Sequence, residues 1–459
     1  MATTQAGIRA IFKDLEPLLT GHLIRPEEKA AYDQARQLWN GKVNKHPSAL
    51  ALCATVEDVI HIVRWARSNE MPLSVRGGGH DFAGRSLRND GIVIDLSHMR
   101  GVSIDPKLNT ARVQGGATIG DLIGAAQQYG LATSTGTISS VGLGGLTLGG
   151  GYGPLLGKHG LVADNLLSAQ VVTANGELLT ASATEYADLY WGLRGGGGNF
   201  GAVVSLEFRL HPISKVLSGL LLYPLAQAND VLLQYAEFIK TVPDELTVQC
   251  GFMTLPDATP VVFLAPVYCG SFDEGARMLE PLHTFGSPLT DQIQPVTYDA
   301  QIRSIDALAP KDRRYFIQTQ SLDGFRPETI EVVVEQARQF PSPFSILSVH
   351  HFHGAASRVA VSDTAFGLRQ DHMMIEIIAA WEQNSAEDDG KHVRWTQRGS
   401  RDLAPYALPG GYINLLDVTE QDRVPLAFGP NYERLLKLKQ TYDPDDVFHS
   451  TVGHIRSRA

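Results

Sequence analysis

In the first 210 residues, some segments have apolar residues at every second position and others have them every three or four positions. This pattern predicts short strands separated by amphipathic helices. Thr55 and Asp58 form a capping box ahead of an apolar stripe, so a helix is expected from there to about residue 69. A second helix is expected over 118–129, with Thr118 as its cap. Apolar residues in 1–45 repeat at a less regular helical spacing, so this polar segment is also expected to be helical. Strands are predicted over 72–76, 92–96, 110–114, 167–173 and 202–210.

The pattern changes at about residue 215, where glycine becomes sparse and strands alternate with helices. A last helix begins at Tyr432 and ends at Asp443-Pro444, because proline cannot continue a helix. The two regions together predict an α+β protein with two domains, the second built on an antiparallel sheet. In this second region we expect strands over 219–223, 247–253, 261–268, 345–353 and 373–381, and helices over 226–241 and 273–281.

Composition narrows the possible partners. The 459 residues carry a formal net charge of −10, which argues against nucleic acid or an anionic membrane as the main partner. Cys53, Cys250 and Cys269 are too few and too scattered for a disulfide framework or a zinc site, and we expect them to be buried. Charged residues near the N-terminus and the lack of an apolar run of roughly 18 residues predict a soluble, cytoplasmic protein without a signal peptide.

The 45 glycines are concentrated in clusters near predicted strand ends. Three clusters lie at 76–80, 142–153 and 194–201, and a shorter one lies at 409–411. Backbone N–H groups without a neighbouring Cβ can approach phosphate closely, so these loops predict a large phosphate-bearing cofactor. Gly196, Gly198 and Gly201 also fit the G-x-G-x-x-G dinucleotide fingerprint. A predicted strand follows them where that motif needs a helix, which argues against a Rossmann fold.

These clusters and their flanking residues resemble the motifs of the FAD-linked oxidases typified by berberine bridge enzyme. The length and architecture are most similar to the 6-hydroxy-D-nicotine oxidase branch of that family. The resemblance rests on 74–80 with Gly84 and Ser86, on 142–153 with 158–161 and 164–165, on 193–203, and on 412–414 with 431–435 and 442–444.

The family resemblance implies a two-domain PCMH-type FAD-binding fold. Residues 1–212 would form the N-terminal part of the FAD-binding domain. Residues 213–408 would form a substrate-binding domain, an antiparallel sheet flanked by helices. Residues 409–459 would return to the FAD-binding domain.

The resemblance also implies where the flavin binds. His80 takes the family's position for covalent attachment to the flavin 8α carbon, although a histidine beside glycines could also be a turn residue or a phosphate donor. Ile138 stands where bicovalently linked relatives have a cysteine, so a single covalent bond is expected. Val141 takes the position that admits oxygen in the family's oxidases. The expected FAD contacts are Arg76, Gly77, Gly78, Gly79, His80, Gly84, Ser86, Val141, Gly142, Gly145, Gly151, Gly153, Asn165, Val203, Tyr412 and Asn414.

Catalytic candidates come from the second half of the chain. Asn414 resembles the family's flavin-proximal asparagine, Tyr412 precedes it on what we interpret as one strand face, and Leu415 replaces the tyrosine base of other members. Met374 takes the position of the family's catalytic glutamate, while Glu376 lies two residues further and faces the same side of a strand. Glu376 could be a proton acceptor, an amine anchor or half of a salt bridge.

Three histidines between residues 348 and 353 give a further candidate. Strand alternation places His350 on one face and His351 with His353 on the other. No third ligand accompanies that pair, so no metal is expected. We expect one of these histidines, taken as His351, to face the flavin as a base or a hydrogen-bond donor.

The expected activity is that of an FAD-dependent oxidase. It would take a hydride from a C–H next to nitrogen or oxygen of a small, heterocyclic amine resembling 6-hydroxynicotine, and would reduce O2 to H2O2. The alternatives are an alcohol or carbohydrate oxidase, a dehydrogenase with another electron acceptor, and a flavin-dependent oxidative cyclase. The expected partners are the substrate and O2, without nucleic acid or membrane, in a monomer or a homodimer.

Overall fold

The first sheet lies near the N-terminus of the computed structural model, which describes residues 12–382 and 386–456. Its strand order is β1-β2-β4-β3, with β2, β3 and β4 parallel. The helix Val56–Ser68 packs on it through Val59, Ile62 and Val63. The predicted capping box at its start is confirmed, since the amide of Asp58 donates to Thr55 Oγ1 over 3.2 Å. The strands are β1 (His22–Ile24), β2 (Ala49–Leu52), β3 (Leu73–Arg76) and β4 (Ile92–Asp95).

The second sheet is antiparallel, in the order β5-β6-β9-β7-β8. Its strands are β5 (Val102–Asp105), β6 (Thr110–Gln114), β7 (Leu166–Val172), β8 (Leu178–Ser182) and β9 (Ala202–Arg209). β7 and β8 form a hairpin whose turn contains Gly176 at a φ of 70°, a conformation that favours glycine. The first large glycine cluster follows β3, and the other two precede β7 and β9, so all three are joined to strands of the first two sheets.

The third sheet is also antiparallel and has the order β14-β11-β13-β12-β17-β18-β16, with β10 joining β13 to β15. Three helices, Ala228–Phe238, Pro327–Arg338 and Ala386–Leu403, bury one of its faces. Because side chains alternate along a strand, the other face is left to turn towards the glycine clusters. The strands are β10 (Lys215–Ser218), β11 (Leu221–Pro224), β12 (Leu246–Thr254), β13 (Pro260–Tyr268), β14 (Thr290–Asp291), β15 (Gln294–Thr297), β16 (Arg314–Leu322), β17 (Ile346–Phe352) and β18 (His372–Trp381).

The C-terminal segment returns to the first sheet. Its helix Tyr432–Tyr442 carries Lys439, which is fully buried and donates to the Asp443 carboxylate over 2.7 Å. Ser450 then forms a parallel bridge with Ser74 of β3. This return brings the end of the described chain beside the first glycine cluster.

Shorter helices connect these elements. The other α-helices are Lys29–Ala35, Ile119–Ala126, Leu143–Leu148, Leu156–His159, Ala187–Leu193, Phe272–Leu279, Tyr298–Arg303, Ala355–Arg358 and Val424–Phe428. The 3-10 helices are Glu16–Leu18, Pro26–Glu28, Gln127–Tyr129, Val162–Asn165, Leu225–Gln227, Ile239–Thr241, Glu280–Thr284, Asp306–Leu308, Val361–Asp363, Ala404–Tyr406, Ile413–Leu415, Gln421–Arg423 and Gly429–Asn431. No helix within 12–382 or 386–456 is both long enough and apolar enough to cross a membrane.

The α+β architecture and the antiparallel second region are confirmed, and the strands expected from alternation form within a few residues of their predicted ends. The N-terminal prediction is partly wrong. Over residues 12–45 the chain forms one short α-helix, Lys29–Ala35, two 3-10 turns and strand β1, and residues 1–11 lie outside the described residues. The expected strand at Tyr412 to Asn414 is wrong too, because a 3-10 turn closes there with the amide of Leu415 bonded to the Tyr412 carbonyl. The boundaries at 212 and 408 stay a prediction.

Candidate active site

A cavity of about 410 Å³ lies between the glycine clusters and the free face of the third sheet. One wall is made by the first two clusters, and the C-terminal residues Ser450, Thr451 and Val452 close it at one end. The facing wall belongs to strands between β12 and β18 and is largely apolar, with Ile317, Ile346 and Ile378 among its residues. The cavity therefore has one wall of backbone and one wall of side chains.

The backbone wall can hold a large flat cofactor. Gly78 and Gly142 pack so closely that a Cβ added at Gly78 would lie 2.5 Å from the Gly142 nitrogen. A Cβ added at Gly145 would meet no heavy atom within 4 Å, because this residue faces the cavity. Glycine at these positions lets two loops form one smooth surface with exposed backbone groups. The surface suits the phosphates and ring system of the predicted FAD.

His80 lies at the edge of this wall, where aromatic residues enclose it. Its ring stacks on Trp39 with centroids 4.7 Å apart, and Trp39 stacks in turn on Tyr315 of β16 at 3.9 Å. His80 Nε2 lies 2.7 Å from Ser140 Oγ. Burial lowers the pKa of His80 to about 4, so the imidazole is neutral at pH 7 and keeps a nucleophilic nitrogen.

The side-chain wall carries one polar cluster. His350 Nε2 lies 3.4 Å from the Glu376 carboxylate, on neighbouring strands β17 and β18. Gln249 Nε2 donates to Ser348 Oγ over 2.6 Å and lies 3.3 Å from His350 Nε2. All four side chains line the cavity. They form a polar centre in an apolar wall, which suits a substrate that carries a single basic or hydrogen-bonding group.

Tyr412 and Asn414 close the cavity beside the second glycine cluster. Asn414 Nδ2 donates to the Tyr412 hydroxyl oxygen over 2.9 Å and to the Leu146 carbonyl over 3.3 Å. The amide of Gly151 also donates to the Tyr412 hydroxyl oxygen, over 3.1 Å. Burial raises the pKa of Tyr412 to about 12, so this hydroxyl stays protonated.

Most of the residues predicted for the site line the cavity. Glu376 lines it on the side-chain wall. The predicted residues on the other wall are Gly77, Gly78, Gly79, His80, Ser86, Val141, Gly142, Gly145, Val203, Tyr412 and Asn414.

His351 is not brought to the cavity, and His350 takes its place. His351 lies on the opposite face of β17, where its Nε2 is 3.1 Å from Asp371 and its ring stacks on His353. The expected alternation of these histidines is confirmed, but the choice of the face that meets the cavity was wrong. Within the described residues, no group of three or more histidine, cysteine, aspartate or glutamate side chains is arranged to hold a metal ion.

Five predicted cofactor residues also lie off the cavity wall and have structural contacts instead. Arg76 is paired with the buried Asp95 carboxylate, and Gly84 makes a turn at a φ of 75°. The amide of Gly151 bonds to Tyr412, as described above. The remaining two residues have partners elsewhere: Gly153 packs against the Thr135 carbonyl and Asn165 donates to the carbonyls of His159 and Leu161.

Other cavity residues were missed by the sequence analysis. Trp39 comes from the N-terminal segment, Tyr315 from a strand that was not predicted, and Gln249 from β12, which pairs with β17. Tyr152 lies inside the second glycine cluster, where only glycines were predicted to contact the cofactor. Alternation along β17 was the one signal that could have found His350. None of Cys53, Cys250 and Cys269 lines the cavity.

Comparison with known proteins agrees with this site. A profile described as an FAD binding domain matches residues 47–182, and one described as berberine and berberine like matches residues 411–453. An uncharacterized FAD-linked oxidoreductase, YgaK of Bacillus subtilis, is 31% identical over 441 residues, which covers 94% of this chain and 96% of the relative. The (R)-6-hydroxynicotine oxidase of Paenarthrobacter nicotinovorans is 33% identical over 284 residues, or 61% of this chain and 62% of the relative.

Solved structures show the same architecture. The 6-hydroxy-D-nicotine oxidase of Arthrobacter nicotinovorans superposes with a TM-score of 0.87 at 26% identity, over 96% of this chain and 98% of that one. Berberine bridge enzyme of Eschscholzia californica shares the fold at a TM-score of 0.86 and 21% identity, over 98% of this chain and 100% of that one. The chain is therefore an FAD-binding enzyme of the berberine bridge enzyme-like family of FAD-linked oxidoreductases, with the two-domain PCMH-type fold.

Proposed function

We propose that the protein is an oxidase of compact heterocyclic amines that carries FAD on a single covalent bond to His80. The observation that carries this proposal is the Glu376–His350 pair, which lies in the polar cluster of the otherwise apolar side-chain wall, opposite the glycine loops. When bound, FAD would accept a hydride from the substrate and pass the electrons to O2. The relative named (R)-6-hydroxynicotine oxidase supports a nicotine-like substrate class.

The residues around His80 suit a single attachment. The neutral imidazole has a nitrogen lone pair for bond formation, while Trp39 and Ser140 fix the plane of its ring. Gly77 to Gly79 and Gly142 would hold the cofactor through backbone groups, and Thr451 and Val452 would contact its other end. No cysteine lies on the cavity wall to form a second bond.

The side-chain wall would select and orient the amine. The Glu376 carboxylate can accept a hydrogen bond from a substrate N–H or pair with its cationic form. Ile317, Ile346 and Ile378 would cover the carbon skeleton and exclude water from the reacting C–H. A sugar would leave several hydroxyl groups against this apolar surface without partners, which costs free energy for each one. The wall therefore favours an amine over a carbohydrate.

Oxygen use should follow from Val141. This side chain lines the cavity beside Gly142 and leaves more room than a leucine would. A narrower approach would hinder a small gas molecule at the cofactor. We propose that Val141 keeps this approach open and makes the protein an oxidase rather than a dehydrogenase.

The direct test is oxygen consumption and H2O2 release by the purified holoprotein. The substrate panel contains both enantiomers of 6-hydroxynicotine, simpler cyclic amines, benzylic alcohols and xylo-oligosaccharides. We expect H2O2 from an amine. H2O2 from the sugars alone would contradict the substrate class, and bleaching of the flavin by an amine without H2O2 would contradict the oxidase assignment.

A further inference from the structure

A small apolar cluster lies on the cavity side of the third sheet, apart from the main cores. It is built mainly by strands β11, β12, β13 and β17. Phe263 is 7% exposed, and the other members that reach the cavity are half-buried, so apolar surface faces the cavity here. The five members that line the cavity, here called the apolar strip, are Leu220, Met253, Phe263, Ala265 and Ile346.

Strand alternation explains why the apolar strip faces away from the helices. Val248, Cys250 and Phe252 of β12 belong to the core beneath the three helices. Gln249 and Met253, which alternate with them along the same strand, line the cavity instead. The strip is therefore on the same free face of the sheet as the polar cluster around Glu376.

Strand pairing joins the strip to Glu376 in a single row. Glu376 of β18 pairs with Ser348 of β17. Ser348 pairs in turn with Gly251 of β12, and Gly251 pairs with Phe263 of β13. Three strand spacings separate the ends of this row, which places the Phe263 backbone on the order of 14 Å from that of Glu376. A Cβ added at Gly251 would lie 2.9 Å from the Phe263 ring, so this ring covers the glycine and the apolar surface begins beside Ser348.

The strip lies across the sheet from His80. His80 meets the sheet through Trp39, which stacks on Tyr315 of β16. In the strand order, β12, β17 and β18 separate β16 from β13. Glu376 and His350 lie on β18 and β17, between the two ends. A ligand held at these two residues can therefore extend towards the His80 end on one side and towards the apolar strip on the other.

We propose that the apolar strip is a binding subsite for an apolar arm of the substrate, an alkyl or aryl group on the side that faces away from the flavin. The Glu376–His350 pair would hold the nitrogen, while Met253 and Phe263 would cover the arm. Ligand pockets commonly combine a few polar groups that fix orientation with apolar surface that adds affinity. The subsite rests on the proposed oxidation of amines and narrows the substrates to amines that carry such an arm.

4-Alkylpyridines test the subsite without turnover. Their nitrogen can pair with the Glu376 carboxylate when it is protonated, and they have no saturated carbon next to nitrogen from which a hydride could leave. The methyl, propyl and pentyl compounds are titrated into the flavin-loaded protein while the flavin absorbance is followed. Each buried methylene should tighten binding about three- to fourfold, so the pentyl compound should bind about 100-fold more tightly than the methyl compound.

Two substitutions separate the polarity of the strip from its volume. Met253→Gln keeps the side-chain length but places an amide against the arm, and Ala265→Leu fills the space beside Phe263. In both variants the ratio of pentyl to methyl affinity should fall about tenfold, while the methyl affinity stays within about twofold. Met278→Gln is the matched control, because Met278 is 38% exposed on the helix Phe272–Leu279 and does not line the cavity. It should keep the wild-type ratio.

The outcomes are distinct from those of the oxygen assay. Equal affinities for the three pyridines in wild type, or a wild-type ratio in both Met253→Gln and Ala265→Leu, would overturn the subsite. If one variant is purified without flavin, the other decides. If no amine yields H2O2 but the pyridine series depends on the strip, the proposed reaction fails and the subsite stands. If an amine yields H2O2 while the pyridines bind equally, the proposed function stands and the subsite fails.

Discussion

The two walls of the cavity are built in different ways. The backbone wall, or glycine wall, comes from loops in which residues that are neighbours in sequence are also neighbours in space, and its backbone groups face the ligand. The side-chain wall, or sheet wall, comes from strands that are far apart in sequence, and side chains such as Glu376 and His350 face the ligand. Backbone binding fixes the kind of cofactor, whereas the side chains can vary the substrate, so the two walls should respond differently to substitution.

The largest effect is expected on the glycine wall. In Gly78→Ala the new Cβ would lie 2.5 Å from the Gly142 nitrogen, and neither backbone can move aside without displacing its loop. We expect a loss of about 3 kcal/mol or more in the free energy of unfolding and a protein purified without flavin. The measurements are the flavin-to-protein absorbance ratio and thermal unfolding.

Gly145→Ala is the matched control for this prediction. Its Cβ would meet nothing within 4 Å, so its melting temperature should stay near that of wild type. A fully flavinylated, stable Gly78→Ala protein would show that the close contact between the two loops is not required.

A smaller effect, confined to turnover, is expected on the sheet wall. Glu376→Gln removes the charge that would pair with a substrate amine and leaves His350 without its acid partner. We expect kcat/KM for the best amine to fall about 100-fold, or about 2.7 kcal/mol, with normal flavin content. Glu335→Gln, on the exposed side of the helix Pro327–Arg338, should keep wild-type kinetics. Equal kinetics for both variants would exclude Glu376 as the anchor.

Val141 should affect the reaction with oxygen more than the reaction with substrate. Val141→Leu narrows the cavity beside Gly142 by one methylene. We expect the oxygen reaction to slow about tenfold while reduction of an artificial dye stays nearly constant. Ile378→Leu keeps the volume of the sheet wall and should change neither rate. If dye and oxygen rates fall together in Val141→Leu, the residue does not act on oxygen access.

The smallest effect concerns stability in acid. His211 stacks on His159 away from the cavity, and burial lowers the pKa of His211 to about 4. Between about pH 4 and 6.5 the unfolded chain binds a proton that the folded His211 does not, so stability falls as the pH is lowered through this range. His211→Gln should reduce the slope of stability against pH by less than about 1.4 kcal/mol per unit. An unchanged slope from urea unfolding at several pH values would refute this.

The difference between the walls also explains what could be predicted from sequence. The glycine clusters are local, and the helix caps at Thr55 and Thr118 depend on residues close in sequence, so these features were predicted directly, although the full capping box of Thr118 with Asp121 was not. Some predicted cofactor residues bind other parts of the protein instead, as Arg76 binds Asp95. The sequence could not distinguish these residues from those that face the cavity. A glycine indicates that another group lies close to the backbone, but it does not show whether that group belongs to a ligand or to the protein.

The sheet wall required information that a single sequence lacks. Alternation gave two faces for β17 and no means to decide which one meets the cavity, so His351 was chosen where His350 lies. Strand β16, which supplies Tyr315 and Ile317, was not predicted at all. The Tyr152 hydroxyl, in the second glycine cluster, lies 2.9 Å from His372 Nε2 at the start of β18, and no local sequence pattern connects these two elements.

Covalent attachment at His80 is the central claim, and acid precipitation tests it most directly. Wild type and His80→Ala are denatured in acid, separated by gel electrophoresis and examined for flavin fluorescence in the protein band. We expect fluorescence in the wild-type band and none in the His80→Ala band, with the wild-type mass raised by one FAD. Flavin that washes out of denatured wild type, or that stays with His80→Ala, would contradict the account.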